Sequence, residues 1–486
     1  MKDLIDLIKI ITPESLTQID LFTPKIKART KINQLYHKIR LGEIQNNENG
    51  IKQLYNKEEK GNQKFVKLKY ALKNKLFNNT LLLQIDKKIF PRKAIFFDSS
   101  RMLLVSKFLI LQGGRRLGVH LLKQLLPTVM KQEFTIQALE SSKLLRQYYT
   151  IHKYEPKEIQ HYDNLIYDLL ETLKIETKAD SHYYELLSHF SARVINYEVL
   201  NQLAKQYESE LSHFSTQKMT ADSILKVKMI TIIERASRFD FEGVRLACTG
   251  GVQLLRQKSY KHQAAIFTIY LQWIRACLQL NDLQKARELL PQLEQCADAG
   301  TYNWFQNIKI QIQLAIRSGN YDEVPSLYKK LYKLRANFKT NQRVIEELNL
   351  LALAIHVLIK GKLLIWRSSS RFLEEIEDLK SNFKEFGKRK LEMNIPIVTY
   401  PLFLKILDKD YDTVIDKIDA LERYDTRYLK QCASPRHHYF FTLILNLVKK
   451  DFDHCQIKSI EYQYLEKLKN PQDDFIDLDA ELIPYE

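Results

Sequence analysis

A short turn motif recurs along the second half of the chain. From about residue 220 onward, an apolar stretch with helical spacing repeatedly ends in Asp or Asn plus an aromatic or apolar residue, and a second amphipathic stretch follows. The dipeptides are Asp240-Phe241, Asp282-Leu283, Asn320-Tyr321, Asp410-Tyr411 and Asp451-Phe452. Three or four residues after each stands a small or apolar residue: Val244, Ala286, Val324, Val414 and Cys455. Adjacent copies are 42, 38 and 41 residues apart, with one gap of 90 that has room for two units, and such periods are typical of helix-pair repeats.

The motif predicts how two helices pack together. The Asp or Asn caps the second helix, the aromatic residue packs between the helices, and the small residue lets them approach closely. One such pair cannot bury both of its faces, so neighbouring pairs must stack. The 486 residues include only 13 Gly and 12 Pro, which favours long helices with short connections over β or α/β folds. We therefore predict an all-α fold, a right-handed solenoid of helix pairs.

These units resemble tetratricopeptide (TPR) repeats over residues 95–470. Ala286 aligns with the small residue of the family's second helix, and Leu290 and Leu293 then fall on its next core positions. The sequence departs from the family at the glycine of the first helix, where Ile274 and Ile312 stand, and its period is longer than the family's. The resemblance implies a groove that binds a peptide or a partner protein.

The N-terminal part is similar to that of a group of uncharacterised bacterial helical-repeat proteins with an LxxLY…LKxxLKxxL pattern. The pattern stands here as Gln34-Leu35-Tyr36, Gln53-Leu54-Tyr55 and Lys67-Leu68 through Lys75-Leu76. This resemblance implies no particular activity.

Four segments are predicted from these patterns. They are a basic helical head at 1–92, a first helical-repeat segment at 93–215, the TPR-like array at 216–470 and an acidic–apolar tail at 471–486. Within them we predict helices at 2–11, 29–42, 48–57, 62–78, 100–112, 116–131, 133–150, 158–174 and 180–192. A charged helix opening at Phe372-Leu373-Glu374-Glu375-Ile376 is expected to end at Asn394-Ile395-Pro396.

Positive charge is concentrated near the N-terminus. The net charge is +17, and residues 1–130 contribute +15 of it, with 25 basic against 10 acidic residues. In the helix predicted at 62–78, a stripe of Phe65, Leu68, Leu72 and Leu76 is flanked by lysines on both sides: Lys64, Lys67 and Lys75 on one, Lys69 and Lys73 on the other. Short helices ending in a basic one outline a helix-turn-helix module, so nucleic acid, DNA or RNA, is a candidate partner. The alternatives are an acidic protein partner and a solvated helix rim.

A second candidate anion site is Gly113-Gly114-Arg115-Arg116, which precedes a predicted helix. A glycine pair with Arg115 and Arg116 at a helix N-terminus can hold a phosphate or a carboxylate. The other interpretation is a loosened turn between two helices.

The tail PQDDFIDLDAELIPYE carries six acids and no base, interleaved with apolar residues. Alternation of this kind favours docking, with carboxylates meeting cations while apolar side chains enter a groove. We predict either that the tail folds against a basic surface, such as the head or a partner subunit, or that it caps the last repeat.

Sequence motifs for catalysis are missing. The chain has no GxSxG, HExxH, Walker A or kinase pattern, and the five cysteines form no CxxC pair. His437 and His438 are adjacent, a poor spacing for shared metal ligation on a helix. We therefore expect no catalytic residues, no metal and no cofactor. No signal-peptide core or membrane span is predicted, so we place the protein in the cytoplasm.

The predicted function is non-enzymatic binding or scaffolding. A protein or peptide would occupy the solenoid groove, and the head would contact nucleic acid or an acidic partner. The alternatives are a DNA-binding transcriptional regulator with a helical sensor array, and a subunit of a bacterial defence or signalling complex. The sequence does not indicate the oligomeric state.

Overall fold

The computed structural model describes residues 1, 4, 5, 8, 30–55, 61–80, 91–189, 196–258, 260, 262–333, 341–366, 391–430, 435–453, 462–469, 476, 478, 479 and 481–485. These residues form helices and turns and no strand, which confirms the all-α prediction for this part of the chain. Two compact units divide the chain, Met1–Ile166 and Tyr167–Glu486. The predicted segment boundaries at 92 and 215 stay predictions.

The helices of the first unit begin with α1 (Lys31–Arg40), α2 (Asn47–Tyr55) and α3 (Gly61–Thr80), followed by α4 (Pro91–Leu111), α5 (Arg115–Lys131) and α6 (Thr135–Ile151). A long helix, α7 (Pro156–His189), comes next. The sequence predicts two helices in that region, at 158–174 and 180–192. They are one helix because Ile175 and Ala179 are buried and continue the apolar face between them.

The second unit continues with α8 (Tyr197–Ser212), α9 (Ala221–Ser237), α10 (Phe241–Arg256), α11 (Gln263–Gln279), α12 (Leu283–Glu294), α13 (Tyr302–Arg317), α14 (Val324–Lys333) and α15 (Gln342–Lys360). It ends with α16 (Leu391–Leu407), α17 (Tyr411–Ile415), α18 (Ile418–Tyr424), α19 (Arg436–Lys449) and α20 (Tyr462–Lys469). The predicted break at Asn394-Ile395-Pro396 is wrong, since α16 runs through Pro396. Residues 372–376 lie outside the described residues.

Helices α1, α2 and α3 pack around a small core of their own. Leu35, Leu54, Phe65 and Leu72 are buried in it, together with the described part of the predicted helix at 2–11. Gly50 of α2 lies so close to Phe65 that a Cβ atom there would fall 2.2 Å from the ring. Any side chain at Gly50 would therefore push α2 and α3 apart.

One backbone device produces the recurring turn. The first helix of a pair ends at a residue with positive φ, and the next residue donates its backbone N–H to the carbonyl five positions back, as Asp240 does to Arg235. Asp240, Asp282 and Asp410 then accept a backbone N–H of the next helix with their side chains, which confirms the predicted caps. A turn of the same form lies inside the long gap at Lys362–Leu363, and residues 367–390 that follow it are outside the described residues.

Two of the five predicted caps are corrected. Asn320 makes no side-chain cap, because a 3₁₀ turn follows it before α14 begins. Asp451 takes the left-handed position itself, with φ of 49°, and Phe452 donates to Leu447, so the motif is shifted by one residue there. Cys455 lies outside the described residues.

The predicted small positions do lie between helices. Val244, Ala286, Val324 and Val414 are all buried. The aromatic position is less uniform, since Phe241 is buried whereas Tyr411 is partly exposed and stacks on Phe452 of the next turn, with ring centroids 4.0 Å apart. Helices pack mainly against their neighbours in sequence, and α9 also packs on α11 and α11 on α13, so the first helices of successive pairs touch.

Candidate functional site

The C-terminal segment lies across the first helices of several pairs. Its described residues, 476, 478, 479 and 481–485, contact α11, α13 and α19, and Leu482 joins a core cluster that includes α15 and α16. We call the contacted side of these helices the tail-binding face; its polar residues are Arg275, Gln279, Lys309, Gln313, Arg317, Arg436 and His437. The tail therefore packs along the array as predicted for a cap, but it is not confined to the last repeat.

Amide side chains hold the main chain of the segment. The Gln279 amide donates to the Ile476 carbonyl at 2.6 Å and accepts the Ile476 N–H at 3.0 Å. One pair further on, Gln313 donates to the Leu478 carbonyl at 2.6 Å, and Arg317 donates to the Glu481 carbonyl at 3.0 Å. These bonds satisfy backbone groups that are buried on the face. They bind the main chain of the segment, which has a turn at residues 478–479, and so they do not depend on the identity of its side chains.

Apolar side chains of the segment enter the core. Ile476 and Leu478 belong to the cluster built by α9–α13, and Leu482 belongs to the cluster built by α13–α16. The Tyr485 ring stacks on Phe440 of α19 at 3.8 Å between centroids. Burying each aliphatic side chain stabilises the packed state by about 1.5–3 kcal/mol. The segment is therefore part of the hydrophobic core of the second unit.

Glu481 anchors the segment through a buried ion pair. Its carboxylate accepts two hydrogen bonds from Arg436, at 2.9 Å from Nη2 and 3.2 Å from Nε, and both side chains are 0% exposed. Arg436 also donates to the Leu468 carbonyl at 2.7 Å, and Arg317 lies 3.6 Å from the carboxylate. A bidentate pair in this geometry is specific, and removal of Glu481 would leave the buried Arg436 charge without its carboxylate.

Asp479 joins a longer chain of charges. Its carboxylate accepts from Lys309 Nζ at 2.7 Å and lies 3.6 Å from Arg275. Lys309, only 7% exposed, also donates to Glu347 at 2.8 Å. Burial opposes ionisation of Asp479, but Lys309 and Arg275 outweigh it and hold the pKa of that carboxyl below its usual range. The face thus binds carboxylates at two separate positions of the segment.

His437 lies beside the Glu481–Arg436 ion pair and is also buried. Its Nδ1 is 3.0 Å from the Tyr485 hydroxyl. Burial lowers the pKa of His437 to about 4, with Glu481 opposing the shift and Arg436 adding to it. The adjacent His438 points elsewhere and contacts Asp425 at 2.8 Å, so the two imidazoles do not form one site.

The lysines predicted from the sequence lie along α3. Lys64 and Lys67 are exposed, whereas Lys69, Lys73 and Lys75 are partly buried. Lys69 donates to Asn47 at 2.9 Å and lies 5.8 Å from the centre of the Phe65 ring. The stripe between the two rows is formed as predicted, since Phe65, Leu72 and Leu76 are buried and Leu68 is partly buried. A ligand for these lysines stays a prediction.

The arginine pair lies in the first turn of α5. Arg115 and Arg116 are exposed there, after Gly113 with φ of +91° and Gly114 at the cap position. The turn shares the positive φ of the repeat turns, and Gly118 takes the small position because a Cβ there would lie 2.9 Å from the Ser106 carbonyl. Both predicted interpretations of the turn stay open, because an anion site and a helix connection use the same backbone.

An exposed apolar stripe on α4 was not predicted from the sequence. Phe97, Leu104, Phe108 and Leu111 share one face of this helix and are about half exposed or more. Their spacing could have been noticed, since it repeats at seven, four and three residues. An apolar surface of this kind marks a candidate contact area in the first unit.

Groups for metal or thiol chemistry are not assembled in the part of the chain that the structure describes. No cluster of three His, Cys, Asp or Glu side chains occurs among those residues. Cys248 and Cys277 are buried free thiols, and burial raises their pKa values to about 12 and about 11. None of the described helices is both long and apolar enough to cross a membrane.

Sequence reasoning did not find the residues of the tail-binding face. The sequence gives no clear signal for Lys309 and Gln313, because their helix carries five further polar residues: Asn303, Gln306, Asn307, Gln311 and Arg317. Comparison with protein-family models, curated proteins and solved structures finds no match for this chain.

Proposed function

We propose that this protein is a non-enzymatic binding protein whose helix pairs form a right-handed TPR-like solenoid that binds a peptide segment on its tail-binding face. In this arrangement the C-terminal segment is a ligand supplied by the chain itself. A partner protein offers an equivalent segment, and the two compete for one site. The chain thus acts as an adaptor or scaffold.

One observation carries the proposal: the face holds a non-helical segment through its main chain as well as its side chains. Gln279 and Gln313 contact only backbone atoms of the tail in the bonds described above. A permanently packed tail would need such bonds too, because its buried backbone groups must be paired, so exchange of the tail is what distinguishes a ligand from a core segment. Main-chain recognition by side chains is a recurring way to bind peptides of varied sequence.

The tail competes strongly with a free partner segment because it is covalently attached to the protein that binds it. A segment tethered by a short linker has an effective local concentration in the millimolar range. A free peptide of equal affinity at about 1 µM is therefore disfavoured about a thousandfold while the tail is attached. Partner binding in trans requires loss of that advantage, through cleavage or tail release, or a second contact elsewhere.

A cleavable tail tests the proposal directly. A specific protease site is inserted between Asn470 and Pro471, the full chain is folded, and the tail is then cut. We expect a fluorescein-labelled 471–486 peptide to bind the cut protein and to bind the uncut protein at least a hundredfold more weakly, measured by anisotropy. Failure of the peptide to exchange into folded, cut protein would overturn the proposal and make the tail a permanent part of the core.

A second candidate function belongs to the basic head. Lys64 and Lys67 lie exposed on one side of α3, which supports contact with nucleic acid or an acidic partner there. With such contact the chain would be a DNA-binding regulator with the array as its sensor, or a subunit of a bacterial defence or signalling complex. Binding of labelled duplex DNA and RNA is measured from low to high salt. A steep salt slope that flattens in the Lys64→Gln, Lys67→Gln, Lys75→Gln variant supports it, and no binding at low salt excludes it.

A further inference from the structure

We infer that the tail-binding face selects partner segments by a buried glutamate, in the pattern apolar–x–apolar–Asp–x–Glu–apolar that residues 476–482 display. This inference rests on the proposed function and names the ligand class of the same site. The ligand is an acidic–apolar peptide of a partner protein. Arg436 reads the glutamate, and Lys309 with Arg275 reads the aspartate.

The two acidic positions are read differently. Glu481 and Arg436 are both 0% exposed and meet through two hydrogen bonds, so no water can replace a missing partner. Asp479 is 40% exposed in its side chain, and Lys309 keeps a second partner in Glu347 when the aspartate is lost. The glutamate position is therefore strict and the aspartate position tolerant.

The apolar positions set the register of the peptide. Leu478 is buried in one core cluster and Leu482 in the next, and Glu481, between them in sequence, meets Arg436. Gln279 and Gln313 bond the backbone at residues 476 and 478, which fixes the place of the main chain where the pattern begins, and Leu478 and Asp479 then form a turn. A peptide with its glutamate one residue earlier or later would place the carboxylate away from Arg436.

Peptide variants test the inference without altering the protein. The cut full-chain protein described above is titrated with labelled 471–486 peptides carrying Glu481→Gln, Asp479→Asn or Asp473→Asn. We expect losses in affinity of about a hundredfold or more for Glu481→Gln, because the Arg436 charge stays buried, and about tenfold or less for Asp479→Asn. The Asp473→Asn peptide is the charge-matched control and is expected to bind like the unaltered peptide.

The outcomes separate the two proposals. If the unaltered peptide binds and all three variants weaken it equally, the face responds to net charge alone and the selection rule is wrong, while the proposed function stands. If Glu481→Gln binds as tightly as the unaltered peptide, the rule is equally wrong. If the unaltered peptide fails to bind, the proposed function itself fails.

Discussion

Positive charge is used differently in the head and on the tail-binding face. The head carries most of the net charge, and Lys64 and Lys67 there are exposed to solvent. The body of the chain is nearly neutral, yet Arg436 and Lys309 are buried within it and bonded to carboxylates of the tail. The difference teaches that net charge indicates where an anion is attracted, whereas buried paired charge indicates where one is recognised.

Removal of the tail is expected to have the largest effect. Deletion of residues 471–486 withdraws Ile476, Leu478 and Leu482 from the core and leaves Arg436 without its carboxylate. We expect the free energy of unfolding to fall by about 5 kcal/mol, because three aliphatic side chains are lost at about 1.5–3 kcal/mol each. Thermal and urea melts measure it. The full-length Leu478→Ala, Leu482→Ala variant is the control for chain length and should show a smaller fall, whereas unchanged midpoints in both would exclude a packed tail.

Loss of one charge at the anchor comes next. Glu481→Gln keeps the shape of the side chain and removes the charge that balances Arg436, so we expect about 3 kcal/mol of destabilisation. Asp479→Asn is the matched control at the half-exposed position and should cost clearly less. Urea denaturation of both variants gives the comparison. Equal costs would mean that burial does not distinguish the two positions.

The helix pairs could be predicted from sequence because their signals are local. Asp240, Asp282 and Asp410 cap the helix that follows them within three residues, and Ala286 is buried four residues after its turn. The motif predicted the wrong register at Asp451, because there the aspartate itself takes the left-handed position that the preceding residue takes in the other turns. The prediction that the second half of α7 is a separate helix failed because the break in pattern was weaker than the continuing apolar face.

The site could be predicted only in part because its contacts are distant in sequence. The acidic–apolar alternation of the tail correctly indicated docking, but Gln279 and Ile476 are 197 residues apart and no spacing relates them. The distribution of net charge also favoured the head as the binding region, because Arg436 and Lys309 lie in a part of the chain where basic and acidic residues nearly cancel. These two side chains recognise carboxylates because they are buried. Their burial depends on how the helices pack and cannot be inferred from local sequence.

Acidic pH is expected to lower the free energy of unfolding through His437, which lies on the α19 part of the tail-binding face. The pKa of His437 is about 4 in the folded protein and about 6.5 in an unfolded chain, so the unfolded state binds the proton first as pH falls. The contribution of His437 to stability is therefore complete above about pH 6.5 and is lost progressively from there to about pH 4, with about 1 kcal/mol lost at pH 5.5. The contribution of Asp479, whose pKa is lowered, is lost only below about pH 4. Urea melts from pH 7.5 to 5 should show the slope, and His437→Gln should reduce it by that amount; an identical slope would contradict the assignment.

The smallest effect is expected in the head. Replacement of Lys64, Lys67 and Lys75 by Gln should change the free energy of unfolding by less than about 0.5 kcal/mol, because exposed or half-exposed side chains are changed. Thermal melts compare the stability of this variant with that of Glu481→Gln. A loss as large as that of Glu481→Gln would remove the distinction between the two kinds of cation.

A double-mutant cycle between Arg436 and Glu481 tests the central claim, that the tail is recognised through a buried ion pair. Arg436→Met, Glu481→Leu and the double variant are compared with the unaltered chain by urea denaturation. We expect a coupling energy of about 2–3 kcal/mol, with the double variant more stable than the Glu481→Leu variant, because it also removes the buried Arg436 charge; Arg317 loses the same contact with the carboxylate in both. Additive effects with no coupling would contradict the claim, since they would mean that the two side chains do not meet in the folded protein.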